Sequence, residues 1–150
     1  MLEPKIVEKG EFRVVGIPYY GSNQNGEIPK LWGVYNQRYG EIKNKVNFEV
    51  CFGVCDPGMS EDGKFHYTIC TEVNSFQDVP EGMITKVVPG GKFLVFTYNG
   101  PVEKIGNLYK EIYGTWIPNS QYEVEMRPDF EYYDKRFCDN GEMDLYIPIK

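Results

Sequence analysis

The spacing of apolar residues changes period several times along the chain, and each change predicts an element. FRVVGIPYYG (12–21) is dense in β-branched and aromatic residues and predicts a strand. NQNGEIP follows, with turn residues and a proline placed near a helix start. From Ile28 the apolar positions fall at Leu31, Trp32, Tyr35, Tyr39 and Ile42, which is the stripe of a helix. FEVCFGVC (48–55) and FHYTICTEV (65–73) predict a hairpin about the turn DPGMSEDGK, and NSFQDVPEGM (74–83) predicts a polar connection.

The pattern then recurs. KFLVFTYNG (92–100) predicts a strand, Gly100-Pro101 a helix start, and Ile105, Leu108, Tyr109 and Ile112 a second helix stripe ended by Gly114. FEYYDKRF (130–137) and MDLYIPIK (143–150) predict a closing strand pair joined by CDNGE. Ile28, Leu31, Trp32 and Tyr35 superpose on Ile105, Leu108, Tyr109 and Ile112 at one constant offset. The chain therefore reads strand, helix, strand, strand, twice, with pseudo-repeats at about 1–75 and 85–150 inside one domain of residues 1–150. One such unit cannot cover both faces of its own sheet, so the expectation is an α+β fold. Two βαββ copies would share an antiparallel sheet, with the helices on one face.

Composition adds an unusual aromatic load: 12 Tyr, 9 Phe and 2 Trp make 15% of the chain. So many tyrosines imply half-wet surfaces where a hydroxyl finds a partner, a groove among them. The net charge of −6 and the lack of a basic cluster argue against a direct grip on nucleic acid. No apolar stretch approaches a membrane span, and MLEPKIVEKG lacks the apolar core of a signal peptide, so a cytoplasmic protein is expected. Cys51, Cys55, Cys70 and Cys138, with His66 alone among histidines, do not make a metal-ligand pattern and are expected as buried or half-buried free thiols. Neither a metal nor a cofactor is implied.

The candidate chemistry lies in RPDFEYYDKRF (127–137), a run of rings with a carboxylate inside it. Strand alternation sends Phe130, Tyr132 and Asp134 to one face, and Glu131, Tyr133 and Lys135 to the other. If the first face packs a core, the second meets water or lines a cavity.

These segments, taken in order with IPKLW, HYTICTEV, VPEGM, PGGKFLVFTYNGP, YGTWIPNS, PDFEYYDKRF and MDLYIPIK, resemble the GyrI-like, or AraC-type effector-binding, small-molecule-binding domain family over nearly the whole chain. The resemblance implies a duplicated βαββ fold with a ligand cleft between the copies. It implies that Glu131 lies at the pocket floor and that Tyr146 is a pocket tyrosine on the neighbouring strand, with Asp144 as a second acid on Tyr146's face. It further implies Trp32 and Trp116 as rings of the cleft walls. Tyr133 follows Glu131 by its face, and Tyr67 and Tyr19 are further ring candidates.

These 150 residues leave no room for a helix-turn-helix segment before or after the domain, so the chain is expected to resemble the family's stand-alone members rather than its transcription factors. The function expected is binding of a small hydrophobic or aromatic molecule, cations included, by a monomer or weak homodimer. Hydrolysis of a strained, cyclopropanoid electrophile is the alternative, and gyrase-inhibitor-like protein binding comes third.

Overall fold

The computed structural model describes residues 3–58, 60–101 and 104–150. Met1 and Leu2 of the N-terminal segment, Met59 of the expected 56–64 turn, and Val102 and Glu103 after Gly100-Pro101 lie outside the described residues. In chain order the elements are β1 (Lys5–Lys9), β2 (Phe12–Gly21), α1 (Glu27–Arg38), β3 (Cys51–Cys55), β4 (Phe65–Val73), β5 (Ile84–Val88), β6 (Gly91–Asn99), α2 (Ile105–Glu111), β7 (Asp129–Tyr133), α3 (Lys135–Asn140) and β8 (Glu142–Ile149). A wider π-type turn, Ile112–Trp116, carries α2 onward through Gly114, which therefore does not stop the helix as expected.

All eight strands form one antiparallel sheet in the order β1-β6-β8-β7-β3-β4-β2-β5. The two strand–helix–strand–strand copies are β2-α1-β3-β4 and β6-α2-β7-β8, and they meet at the central pair β3 and β7. The copies also exchange a strand. β1 precedes β2 but pairs with β6, and β5 precedes β6 but pairs with β2. Both are short, largely exposed edges whose inward positions pair a valine with a lysine, Val7 with Lys9 and Val88 with Lys86, so no hydrophobic alternation marks KIVEK and ITKVV as strands.

The helices cover one face. Tyr35 of α1 is fully buried with Val15, Ile17, Ile69 and Val73, while Leu108 and Ile112 of the second copy pack on Leu94, Phe96, Leu145 and Ile147. Among the described residues no helix covers the other face, which closes on itself by curling. Phe12 of β2 reaches Phe130 of β7 with ring centroids 5.4 Å apart although two strands separate them in the sheet, and Phe52 and Phe93 complete the cluster.

Two expected strands are cut short. FEVCFGVC (48–55) is a strand only over Cys51–Cys55, because residues 48–49 form a turn. FEYYDKRF does not run to residue 137: β7 stops at Tyr133 and α3 begins at Lys135. Asp134 caps that helix by accepting from the Arg136 backbone N–H at 3.0 Å, and Gly141 ends it at φ 74°. Lys135 therefore leaves the face it was assigned to share with Glu131.

Candidate functional site

The helix-covered side of β3 and β7 lies where the two copies meet. Directly opposed residues of an antiparallel pair project to the same side of the sheet. The register sets Cys51 opposite Tyr133, Gly53 opposite Glu131, and Cys55 opposite Asp129, so all six positions belong to this face. Glu131 is 7% exposed. Three tyrosine hydroxyls donate to its carboxylate: Tyr67 to Oε1 at 2.6 Å, Tyr133 to Oε1 at 2.9 Å and Tyr109 to Oε2 at 3.0 Å. They come from β4, β7 and α2, so both copies supply the shell. Trp32 of α1 stands edge-on to Tyr133 at 5.1 Å and to Tyr35 at 5.8 Å.

Gly53 makes this packing possible. A Cβ there would lie 2.0 Å from the Tyr67 hydroxyl oxygen and 2.6 Å from Oε1 of Glu131. The bare backbone of β3 thus leaves the space in which the carboxylate and its shortest hydrogen bond sit.

A second acid shares the face. Asp129, two residues before Glu131 on β7, accepts from the Tyr113 hydroxyl at 2.7 Å through Oδ2. Its Oδ1 is buried and has no hydrogen-bond partner among the described residues. Among those residues no lysine or arginine forms an ion pair with either carboxylate.

Burial without a counter-ion sets the electrostatics. Desolvation raises the Glu131 carboxyl above its ordinary value, and the three tyrosine hydrogen bonds pull it partly back. Asp129, with one such bond, is pushed up to about 7, first by desolvation and further by the charge of Glu131. The same two carboxylates add to desolvation in raising the Tyr67, Tyr109 and Tyr113 hydroxyls and the Cys55 thiol, which keeps the shell in its donor form. The result is a ring-walled site of buried and half-buried groups with an excess of acid, suited to receiving positive charge or a proton.

The structure brings together Glu131, Tyr133, Tyr67 and Trp32 from the residues singled out in the sequence. Asp144 and Tyr146 lie elsewhere, which corrects their expected place beside Glu131. Tyr146 is opposite Phe130 and Asp144 opposite Tyr132, so both belong to the helix-free face; Leu145 is the residue opposite Glu131. Tyr146 stacks on Phe130 at 4.6 Å. Asp144 accepts from Thr97 Oγ1 at 2.7 Å and from Arg136 Nη2 at 2.7 Å, so its charge is already matched.

Trp116 packs against Phe96 at 5.2 Å and stacks with Tyr122, half-buried against the core of the second copy. Tyr19 donates to Glu27 at 3.1 Å and accepts from the Asn23 backbone N–H at 2.8 Å, tying down the β2–α1 connection. Cys138 is exposed on α3, unlike the three half-buried or buried thiols. Sequence reasoning missed Tyr109, Tyr113, Gly53 and Asp129. Tyr109 belongs to the second helix stripe with Tyr113 four residues on, and Asp129 has the same strand parity as Glu131; those were the available signals.

The family model described as Cass2, integron-associated effector binding protein, matches residues 5–149. The transcriptional regulator BrlR of Pseudomonas aeruginosa is 38% identical over 152 residues, covering 99% of this chain; the chain spans 56% of that regulator's length. Among solved structures, SAV2435 bound to tetraphenylphosphonium aligns with a TM-score of 0.72 at 22% identity, covering 99% of this chain and 94% of that one. The integron cassette protein from the mobile metagenome of Vibrio cholerae aligns with a TM-score of 0.69 at 20% identity, covering 98% and 95%. No helix among the described residues is long and apolar enough to cross a membrane.

Proposed function

The chain belongs to the Cass2 family of integron-associated effector-binding proteins, within the GyrI-like effector-binding group, and from that premise we propose that its helix-covered site binds a small aromatic or hydrophobic cation. Glu131 is the charged anchor. The observation that carries this reading is a carboxylate 7% exposed, held by three tyrosine hydroxyls and, among the described residues, by no ion-paired cation. A buried, unpaired carboxylate is costly, and a bound cation offsets that cost by pairing with it. Ring faces of Tyr133, Tyr109 and Trp32 would add cation–π attraction of about 0.5–2 kcal/mol each as the site dries. Such walls impose little directional hydrogen bonding, so selectivity would rest on charge, flatness and size. The tetraphenylphosphonium held by SAV2435 is a ligand of that chemical type.

Titration with tetraphenylphosphonium and with neutral triphenylphosphine oxide tests the reading. Glu131→Gln is expected to weaken the cation by about 30-fold or more, in the range for removing one partner of a desolvated charge pair. The neutral compound should change less than about threefold, within the scale of a rim contact. Equal losses for both would reject the electrostatic role.

Asp129 beside Glu131 favours a second reading, hydrolysis of a strained electrophile. A carboxyl pushed up to about 7 and sharing its face with a second, buried carboxyl suits general acid–base work. Incubation with a cyclopropane-bearing electrophile, followed by mass spectrometry, decides it. Product formed by the wild type and absent with Glu131→Gln identifies an enzyme; unchanged compound rejects this reading.

A further inference from the structure

We propose that Asp129 is a second anionic anchor of the same site, so that the site is matched to flat aromatic dications whose two positive centres stand about two strand residues apart. The inference rests on the binding reading above and deepens it by naming the class of ligand.

Its basis is a match of two spacings. Asp129 and Glu131 project from the same face of β7 two residues apart, about 6.8 Å along a strand. Tyr109 and Tyr113 stand four residues apart, about 6 Å along a helix, and each donates to one of the two carboxylates. Their rings are parallel within 2°, with centroids 6.5 Å apart. The face is therefore built twice over, as two carboxylate–tyrosine pairs in step.

The two pairs differ in how far they are satisfied. Glu131 has three donors, whereas Oδ1 of Asp129 is sealed from solvent with no partner among the described residues. A monocation seated on Glu131 leaves that oxygen as it is. A second positive centre one strand step away supplies what it lacks.

No other described group competes for the role. The titratable side chains turned to the two acids are Tyr133 from β7, Cys51 and Cys55 from β3, Tyr67 from β4 and Tyr109 and Tyr113 from the α2 segment; α1 contributes Trp32 and Tyr35. None of these is a cation. Desolvation and the charge of Glu131 hold Asp129 at about 7, so the second anchor is uncharged in mild acid and charged in mild base.

Two probes of nearly equal shape separate the charges: 1,1′-dimethyl-4,4′-bipyridinium, a flat dication, and 1-methyl-4-phenylpyridinium, its monocationic counterpart. Calorimetric titration of the wild type at pH 8 is expected to favour the dication by about tenfold or more, the scale of one extra close charge pair. The preference should shrink to within about threefold at pH 5.5, where Asp129 holds a proton. Asp129→Asn should bring it within about threefold at both pH values, whereas Glu131→Gln should weaken both probes together.

A wild-type preference that persists in Asp129→Asn overturns the inference. So does equal binding of the two probes at pH 8, which would leave the cation-binding reading standing. The pH profile needs no variant: a preference in the wild type as large at pH 5.5 as at pH 8 also overturns it. Failure of both probes to bind overturns the inference together with the reading beneath it.

Discussion

Gly53→Ala is expected to abolish binding of tetraphenylphosphonium and to lower folding stability by about 2–4 kcal/mol, combining overpacking with a broken buried hydrogen bond. In an ordinary strand the sign would be opposite, since glycine costs about 0.5–1 kcal/mol relative to alanine through backbone entropy. Here the added methyl would lie 2.0 Å from the Tyr67 hydroxyl and 2.6 Å from Glu131 Oε1. Tyr67 is a rigid ring buried between β4 and α1, and it cannot withdraw without opening the first copy's core. The Glu131 carboxylate is the part able to move, and moving it breaks the 2.6 Å bond from Tyr67. Steric loss therefore exceeds the entropic gain. Urea unfolding and cation titration of the purified variant check both halves. A variant as stable as the wild type that still binds would show that Gly53 does not shape the site.

How far this site could be read from the sequence follows from what determines each part of it. The two helix stripes and the four strands β2, β3, β4 and β6 are local patterns and all are present, although β3 starts at Cys51 and the first α-helix ends at Arg38, short of Ile42. The parity of Glu131 with Tyr133 is local too, because alternation within one strand needs no partner. Tyr146 and Asp144 are different. Whether their parity matches that of Glu131 depends on the register between β8 and β7, and a shift of one residue exchanges the faces.

The same holds for Gly53, whose meaning appears only when β3 is set beside β7. Edge strands β1 and β5 gave no signal because each is mostly exposed and pairs with the other copy. α3 did leave a signal. Asp134 as cap and Gly141 as left-handed stop bracket KRFCDN, and the aromatic density of the preceding residues outweighed them.

Asp129→Asn is expected to stabilise the ligand-free protein, and to do so far more at pH 8 than at pH 5. The sign follows from proton counts. Asp129 is raised from 3.8 to about 7 in the folded chain, so between those values the folded state holds a proton that the unfolded state has released. Stability from this group is complete below pH 3.8 and is lost as pH rises through 7. Between pH 5 and pH 8 the loss is on the order of 2–3 kcal/mol, by the conversion of one pKa unit to about 1.4 kcal/mol. Glu131, also raised, acts in the same direction.

The carboxylates with lowered values, such as Asp134 beside Arg136, lose their contribution only in stronger acid and leave this window alone. An asparagine stays neutral throughout and removes the Asp129 part of the slope. Denaturant unfolding of both proteins at pH 5 and pH 8 measures it, and parallel pH curves would mean that Asp129 is ordinarily ionised in the fold. The loss in the wild type is also the free energy that a cation can recover. Ligand binding to the folded state alone raises stability by RT ln(1 + [L]/Kd), so a site that destabilises the empty fold at pH 8 responds to its ligand most strongly there. The thermal shift caused by a saturating dication should therefore be larger at pH 8 than at pH 5, and the difference should shrink with Asp129→Asn to the part that Glu131 sets.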